Sequence, residues 1–398
     1  MQQATSNKQQ ATSNKQQATS NKQQATSNKQ QANKVAKYTN KNIKQDVYPI
    51  NVATVFSGIG APEQALKRLG IKHNLVFACD IDKYCKQTYF ANYKITEDQW
   101  YNDIKTINGK EYTGKIDLFI GGSPCQSFSM VGKRKGLDDD RGNLFFEFAR
   151  LVNEIKPKVF IFENVKGLLS HNSGKTWKII EDKVKSLGYT YYKKVLNAKN
   201  YGIPQNRERL FIVGFLKKQT FDFPKPIPLE TTMQDLLIDN PDAKYFLPDK
   251  GIKFVSDKKN LDKRYTQIDG KIALCQKRNQ QFNWHGDFVM DKYFLSEKVK
   301  NYVLSTGTGN FYSKPETDLK IARPLLSTMA KSHRAGIDNY ITRGDRLRKL
   351  TPRECLRLMG FPDDFKIVVS DTQAYKQSGN TIVVDVLVYL LKSIYGIE

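Results

Sequence analysis

A chain of 398 residues with 39% hydrophobic content is long enough to bury a full core and to form two domains, or one domain with a large insertion. No apolar run approaches the ~18 residues of a membrane span. Five cysteines without a Cys-x-x-Cys pair fit free thiols in a reducing compartment, and four histidines, none at metal-ligand spacing, predict no metal site. The formal charge of +24 predicts a polyanionic partner, because neutralised phosphates release counterions; eight of the positive charges lie in residues 1–45, which contain no acid, and the remainder still carries +16.

The N-terminal segment is an internal repeat. Gln-Gln-Ala-Thr-Ser-Asn-Lys starts at Gln2, Gln9, Gln16 and Gln23, and a shortened copy follows at Gln30. Alanine is its only apolar residue, so the seven-residue period predicts disorder rather than a coiled coil. The segment lacks the apolar core of a signal peptide, and a cytoplasmic location is expected. Deleting residues 2–45 should at most flatten the salt dependence of affinity for the polyanion, as measured by titrations at several ionic strengths.

Past Asp46, strand and helix signals alternate. Residues 52–56 predict a strand ending in Ser57-Gly58-Ile59-Gly60, and 61–69 a helix closed by Gly70. Residues 75–78 predict a second strand ending at Cys79-Asp80, and 117–120 a third, ending in glycines ahead of Ser123-Pro124-Cys125-Gln126. Apolar positions Leu144, Phe148, Leu151 or Val152, and Ile155 predict an amphipathic helix over 143–155 stopped by Pro157; residues 159–162 predict a fourth strand ending at Glu163-Asn164. This alternation implies an α/β, Rossmann-like domain with a mostly parallel, doubly wound sheet. The chemically interesting residues then fall just past the carboxyl ends of strands, in one crevice.

Two of those strand ends predict a ligand. The turn Phe56-x-Gly58-x-Gly60 lets the backbone approach a ligand closely, but its spacing is not Gly-x-Gly-x-x-Gly, so a pyrophosphate is not indicated. Asp80 stands where an acid accepts hydrogen bonds from both ribose hydroxyls, or else caps the next helix; Asp103, before Ile104, carries the same ambiguity. Cys125 reads as an exposed nucleophile, although an isolated cysteine is more often inert.

In order along the chain, Phe56-Ser57-Gly58-Ile59-Gly60, Gly122-Ser123-Pro124-Cys125-Gln126, Glu163-Asn164-Val165, Gln205-Asn206-Arg207-Glu208-Arg209, Leu350-Thr351-Pro352-Arg353-Glu354-Cys355 and Gly379-Asn380-Thr381 resemble the blocks of bacterial DNA (cytosine-5)-methyltransferases of the restriction-modification type. The resemblance spans roughly residues 50–396. It implies S-adenosylmethionine as cofactor, without a metal, held by Phe56, Gly58, Gly60, Asp80, Ile81, Asp103, Ile104 and Asn380. Asp80 stands where the family often has Glu, and Ile81 where an aromatic often stacks on the adenine. Catalytic roles fall to Cys125, Glu163, Arg207 and Arg209, with Arg209 contacting the target base and Arg207 structural.

The chemistry explains these residue types. Carbon 5 of cytosine is a poor nucleophile, so a thiolate must first add to C6; that is Cys125. A cysteine of ordinary pKa, near 8.5, is only a few per cent ionised at neutral pH, so a helix N-terminus or a cation should assist it. Glu163 should hydrogen-bond N3 and the exocyclic amine, limiting negative charge on the ring during attack. No residue stands out as base for the C5 proton, and a water is expected. The target must flip out of the duplex, with residues 127–142 closing behind it.

Four regions are expected: a disordered tail over 1–46, a catalytic domain over 47–217, a smaller target-recognition domain over 218–345, and a hinge and C-terminal return over 346–398. Pro224, Pro226 and Pro228 mark the second boundary. Segments 271–278, 279–281, 306–309 and 331–334 offer side chains for reading bases. A helix over 381–394 should pack beside the first strand, with Asn380 either its N-cap or a cofactor ligand. The expected partner is double-stranded DNA, with a restriction endonuclease as functional counterpart; no membrane partner is expected, and the protein should be a monomer. The alternatives are a tRNA cytosine-5 methyltransferase with the same blocks and a non-enzymatic, methyltransferase-like DNA-binding protein, which would not need Cys125, Glu163 and Arg209.

Overall fold

The computed structural model describes residues 49–124, 143–238 and 350–397, and between the last two segments residues 241–245, 250, 254, 257–263, 266–268, 286–288, 320–321, 325, 340–343 and 346–349. The repeat tail, Cys125, the segment 127–142 and the candidate base-reading segments lie outside the described residues.

Seven strands form one sheet: β1 (Ile50–Val55), β2 (His73–Cys79), β3 (Trp100–Tyr101), β4 (Leu118–Gly121), β5 (Val159–Val165), β6 (Thr190–Asn197) and β7 (Glu208–Phe215). Their order is β3-β2-β1-β4-β5-β7-β6. The first five positions are parallel, and β7 runs antiparallel to both β5 and β6. The chain leaves β1 toward β2 on one side and returns to β4 on the other, which opens a crevice at their carboxyl ends. The mostly parallel sheet agrees with the sequence, and its antiparallel β7-β6 edge is additional. The fourth strand extends beyond the predicted 159–162 to Val165, so Glu163 and Asn164 lie within it, opposite Phe211 and Leu210 of β7. Pairing with β7 carries the ladder past the apolar run.

Helices cover both faces. Helix α1 (Ala61–Leu69) ends at Gly70, whose left-handed φ of 66° suits glycine, and Ile71 N–H returns to Leu66 O at 3.1 Å. With α7 (Val384–Tyr395) it packs on one face, where Ala65, Leu66, Leu387 and Leu391 meet Val52, Leu118, Ile120 and Ile161. Helices α3 (Asn143–Ile155) and α4 (Lys175–Ser186) cover the other, where Phe148, Val152 and Ile180 meet Ala53, Phe119 and Phe160. Among the described residues no helix is long and apolar enough to cross a membrane.

The C-terminal residues return to this domain. In α5 (Pro352–Arg357), the buried carboxylate of Glu354 closes a capping box on Thr351 and accepts Ile238 N–H at 2.7 Å. Buried Gln205 donates to Leu358 O (2.7 Å) and accepts from Leu325 N–H (3.0 Å), so one side chain joins three distant segments. Helix α6 (Asp371–Asn380) locks onto α2 (Lys83–Asn92): Lys376 pairs with Asp82, and Gln377 donates to Tyr84 O at 2.8 Å. The expectation that Asn380 caps a helix starting at 381 is corrected. Asn380 is the last residue of α6; Thr381 and Val383 are extended, and α7 begins at Val384.

Between these parts, Thr266–Ile268 pairs in parallel with Gly286–Phe288, and Tyr340–Arg343 pairs antiparallel with Arg346–Lys349.

Candidate active site

The turn after β1 is wound left-handed at Phe56 (φ 53°), Gly58 (55°) and Gly60 (82°). A bulky residue at positive φ stores strain, and such strain gathers at functional sites. The two glycines serve different ends. A Cβ on Gly60 would enter the Tyr93 ring at 2.2 Å, whereas one on Gly58 would meet nothing nearer than Phe56 O at 4.0 Å. Gly60 is therefore required by packing, while Gly58 leaves an open face. Gly58 N–H donates to Asp80 Oδ2 at 2.8 Å, and Asp82 N–H donates to Asp80 Oδ1 at 2.9 Å. Burial pushes the Asp80 carboxyl above the usual range against these two bonds. The cap of α2 is Asp82, which accepts Tyr84 N–H at 2.9 Å, so the capping role considered for Asp80 belongs to its neighbour.

The remaining cofactor candidates divide. Ile81 is 83% exposed beside Asp80. Asp103 caps the short turn Ile104–Thr106 through Lys105 N–H (3.0 Å), and the Ile104 side chain is buried in the core, leaving only its backbone to meet a ligand. Asn380 is exposed at the end of α6. An open glycine face, a carboxylate whose oxygens each keep acceptor capacity and an exposed apolar side chain fit a nucleoside.

The second half of the site lies at the carboxyl end of β5. Glu163 Oε1 is 3.2 Å from Arg209 Nε, with only 13% and 15% of the two side chains exposed. Arg209 is brought there by the antiparallel register, opposite Val165. Burial raises the Glu163 carboxyl above its ordinary pKa, while Arg209 and then Arg207 pull it down. Arg207 takes a different place: its buried guanidinium donates to Gly379 O (3.0 Å) and Thr381 O (3.1 Å), holding the elbow between α6 and α7.

Asn164, 2% exposed, donates from Nδ2 to Ser123 O (3.2 Å) and Ser123 Oγ (3.3 Å), while its Oδ1 accepts Val165 N–H (2.9 Å). It ties β5 to the backbone two residues before Cys125. Gly122 lies against Glu163 itself, where a Cβ would stand 2.8 Å from Oε2. Gly122→Ala is expected to push the carboxylate aside, a displacement that a crystal structure of the variant checks. Sequence reasoning gave no role to Asn164, Thr54 or Glu63. A threonine in an apolar strand and a glutamate on the apolar side of a helix were the available signals for the last two.

The profile of a family described as C-5 cytosine-specific DNA methylase matches residues 50–396. The chain is 36% identical over 344 residues to the Type II methyltransferase M.SsoII of Shigella sonnei, covering 84% of this chain and 76% of that one. It is 35% identical over 344 residues to M.HhaI of Haemophilus parahaemolyticus, covering 85% and 92%. A DNMT2 variant of Spodoptera frugiperda superposes with a TM-score of 0.61 over 87% of this chain and 99% of that one; at 21% identity this speaks to fold alone.

Proposed function

The chain belongs to the C-5 cytosine-specific DNA methylase family and is a DNA cytosine-5 methyltransferase, and on that premise we propose that it methylates a flipped-out cytosine within a short, specific double-stranded sequence through a Cys125 thiolate adduct. The observation that carries this reading is the largely buried Glu163–Arg209 pair against Gly122, beside the strand end that leads to Cys125. The Phe56–Gly60 turn and Asp80 would hold S-adenosylmethionine, which would supply an electrophilic methyl group.

The chain's own residues do the rest. The Cys125 sulfur bonds to C6 and moves electron density to C5. Glu163, protonated, donates to N3 as negative charge builds there and accepts from the exocyclic amine, which also identifies the base as cytosine. Arg209 fixes the orientation of that carboxyl and remains a donor toward the base. After methylation, a water takes the C5 proton, the electron pair released re-forms the C5–C6 double bond and expels the thiolate, and N3 returns its proton to Glu163. The basic body of the chain, +16 outside its first 45 residues, suits a duplex whose backbone supplies affinity. A functionally paired restriction endonuclease accords with the Type II relatives.

Bisulfite sequencing of plasmid DNA from a host without cytosine methylation tests the proposal. Protection of cytosines within one recurring short sequence, lost with Cys125→Ser, is the expected result. No protection by a folded protein that binds S-adenosylhomocysteine would reject it and make tRNA the next substrate to assay.

A further inference from the structure

Two buried polar side chains meet between β1 and α1: Thr54, fully buried, and Glu63, 2% exposed in the first turn of α1. Thr54 Oγ1 is 3.0 Å from Glu63 Oε1 and 2.8 Å from Ser57 Oγ. Ser57 Oγ in turn lies 3.1 Å from Cys79 O and accepts Cys79 N–H at 3.0 Å. Ser57 N–H also donates to Cys79 O at 2.9 Å. Ser57 therefore staples the last residue of β2 to the turn after β1, one residue from the Gly58–Asp80 bond.

The hydrogens can be counted. The contacts Glu63 to Thr54, Thr54 to Ser57 and Ser57 to Cys79 O each need one side-chain hydrogen, and the two hydroxyls supply two. The third comes from Glu63 as a carboxylic acid donating to Thr54 Oγ1. Burial pushes this carboxyl up, against the opposing pull of Tyr89, Thr54 and His73, the groups that face it.

We propose that Glu63, as a neutral acid acting through Thr54 and Ser57, is a positioning residue for the cofactor, setting the separation between the Phe56–Gly60 turn and Asp80. The inference rests on the reading of this crevice as the S-adenosylmethionine site. It assigns a function to a buried chain of side chains that links α1 to the ends of β1 and β2.

The test is calorimetric titration of the full chain with S-adenosylhomocysteine, with the Tm of the free protein recorded in parallel. Thr54→Val keeps the shape and removes the middle of the relay; it should weaken binding about tenfold and lower Tm, because it leaves a buried carboxyl without its partner. Adding Glu63→Leu removes the stranded group, so Tm should recover while binding stays about tenfold weak. Glu63→Gln, whose amide N–H donates to Thr54 as the acid does, should keep affinity within about threefold. In steady state the double variant should show a raised KM for S-adenosylmethionine, with kcat within about twofold of the unaltered enzyme. Affinity that recovers together with Tm in the double variant, or Glu63→Gln as weak as Thr54→Val, would overturn the positioning role. Failure of the unaltered chain to bind S-adenosylhomocysteine would instead overturn the cofactor reading beneath it.

Discussion

Glu163→Gln should slow methyl transfer by about two to four orders of magnitude while changing cofactor and DNA binding by less than about tenfold. Glutamine keeps the size of the side chain and can still donate to N3 and accept from the exocyclic amine, so recognition of the base survives. What it cannot do is transfer a proton when the thiolate attacks. The pH dependence has a definite sign. Burial raises the Glu163 pKa, so the acid form persists to higher pH than for an exposed glutamate and is lost as pH rises through the raised value. The unaltered enzyme should therefore lose rate along an alkaline limb that Glu163→Gln lacks. Single-turnover methyl transfer across pH tests this, and a variant rate within about threefold of the original would rule out proton donation by Glu163.

Cys125→Ser should abolish methyl transfer and leave DNA affinity within about tenfold. Oxygen for sulfur is nearly isosteric, so shape at the base is retained, but a serine hydroxyl is almost wholly un-ionised at neutral pH, where a cysteine supplies at least a few per cent thiolate. Asn164 prepares the approach by gripping Ser123 at 3.2 and 3.3 Å, which fixes the backbone leading to residue 125. Methyl incorporation and gel-shift titrations at one fixed salt concentration check the two halves. Detectable turnover within about a hundredfold of the parent would mean that another group attacks the ring.

What the sequence revealed depended on how local each signal was. Helix α1 and its glycine stop were readable because Gly70 caps from the next position. The apolar runs of β1, β2, β4 and β5 gave strand positions within a few residues. The edge strand β6 was missed because residues 190–197 include exposed Lys193 and Lys194 and have no clean apolar alternation. Its identity comes from pairing with β7, not from its own pattern. The extra residues of β5 were missed for the same reason. At the site, the family resemblance pointed to Glu163 and Arg209 as a group, but the partners that give buried polar residues their work lie far away in sequence. Asn164 reaches back 41 residues to Ser123, and Gln205 reaches forward 153 residues to Leu358. Asp80 and Asp82 illustrate the opposite limit: the two acids lie two positions apart, and only backbone geometry shows that Asp82 is the one that caps α2.

The ion pair between Arg68 in α1 and Asp385 in α7, 2.7 Å long, joins residues 317 apart in the chain. At synthesis rates of about 5–20 residues per second, Arg68 leaves the peptidyl-transferase centre roughly 15–60 s before its partner exists. During that interval the nascent chain has already made the turn at Gly58 and Gly60 and the strand bearing Glu163, but not the helix that covers α1. A polypeptide stalled or truncated before α7 would therefore expose the apolar side of α1 to chaperones and proteases.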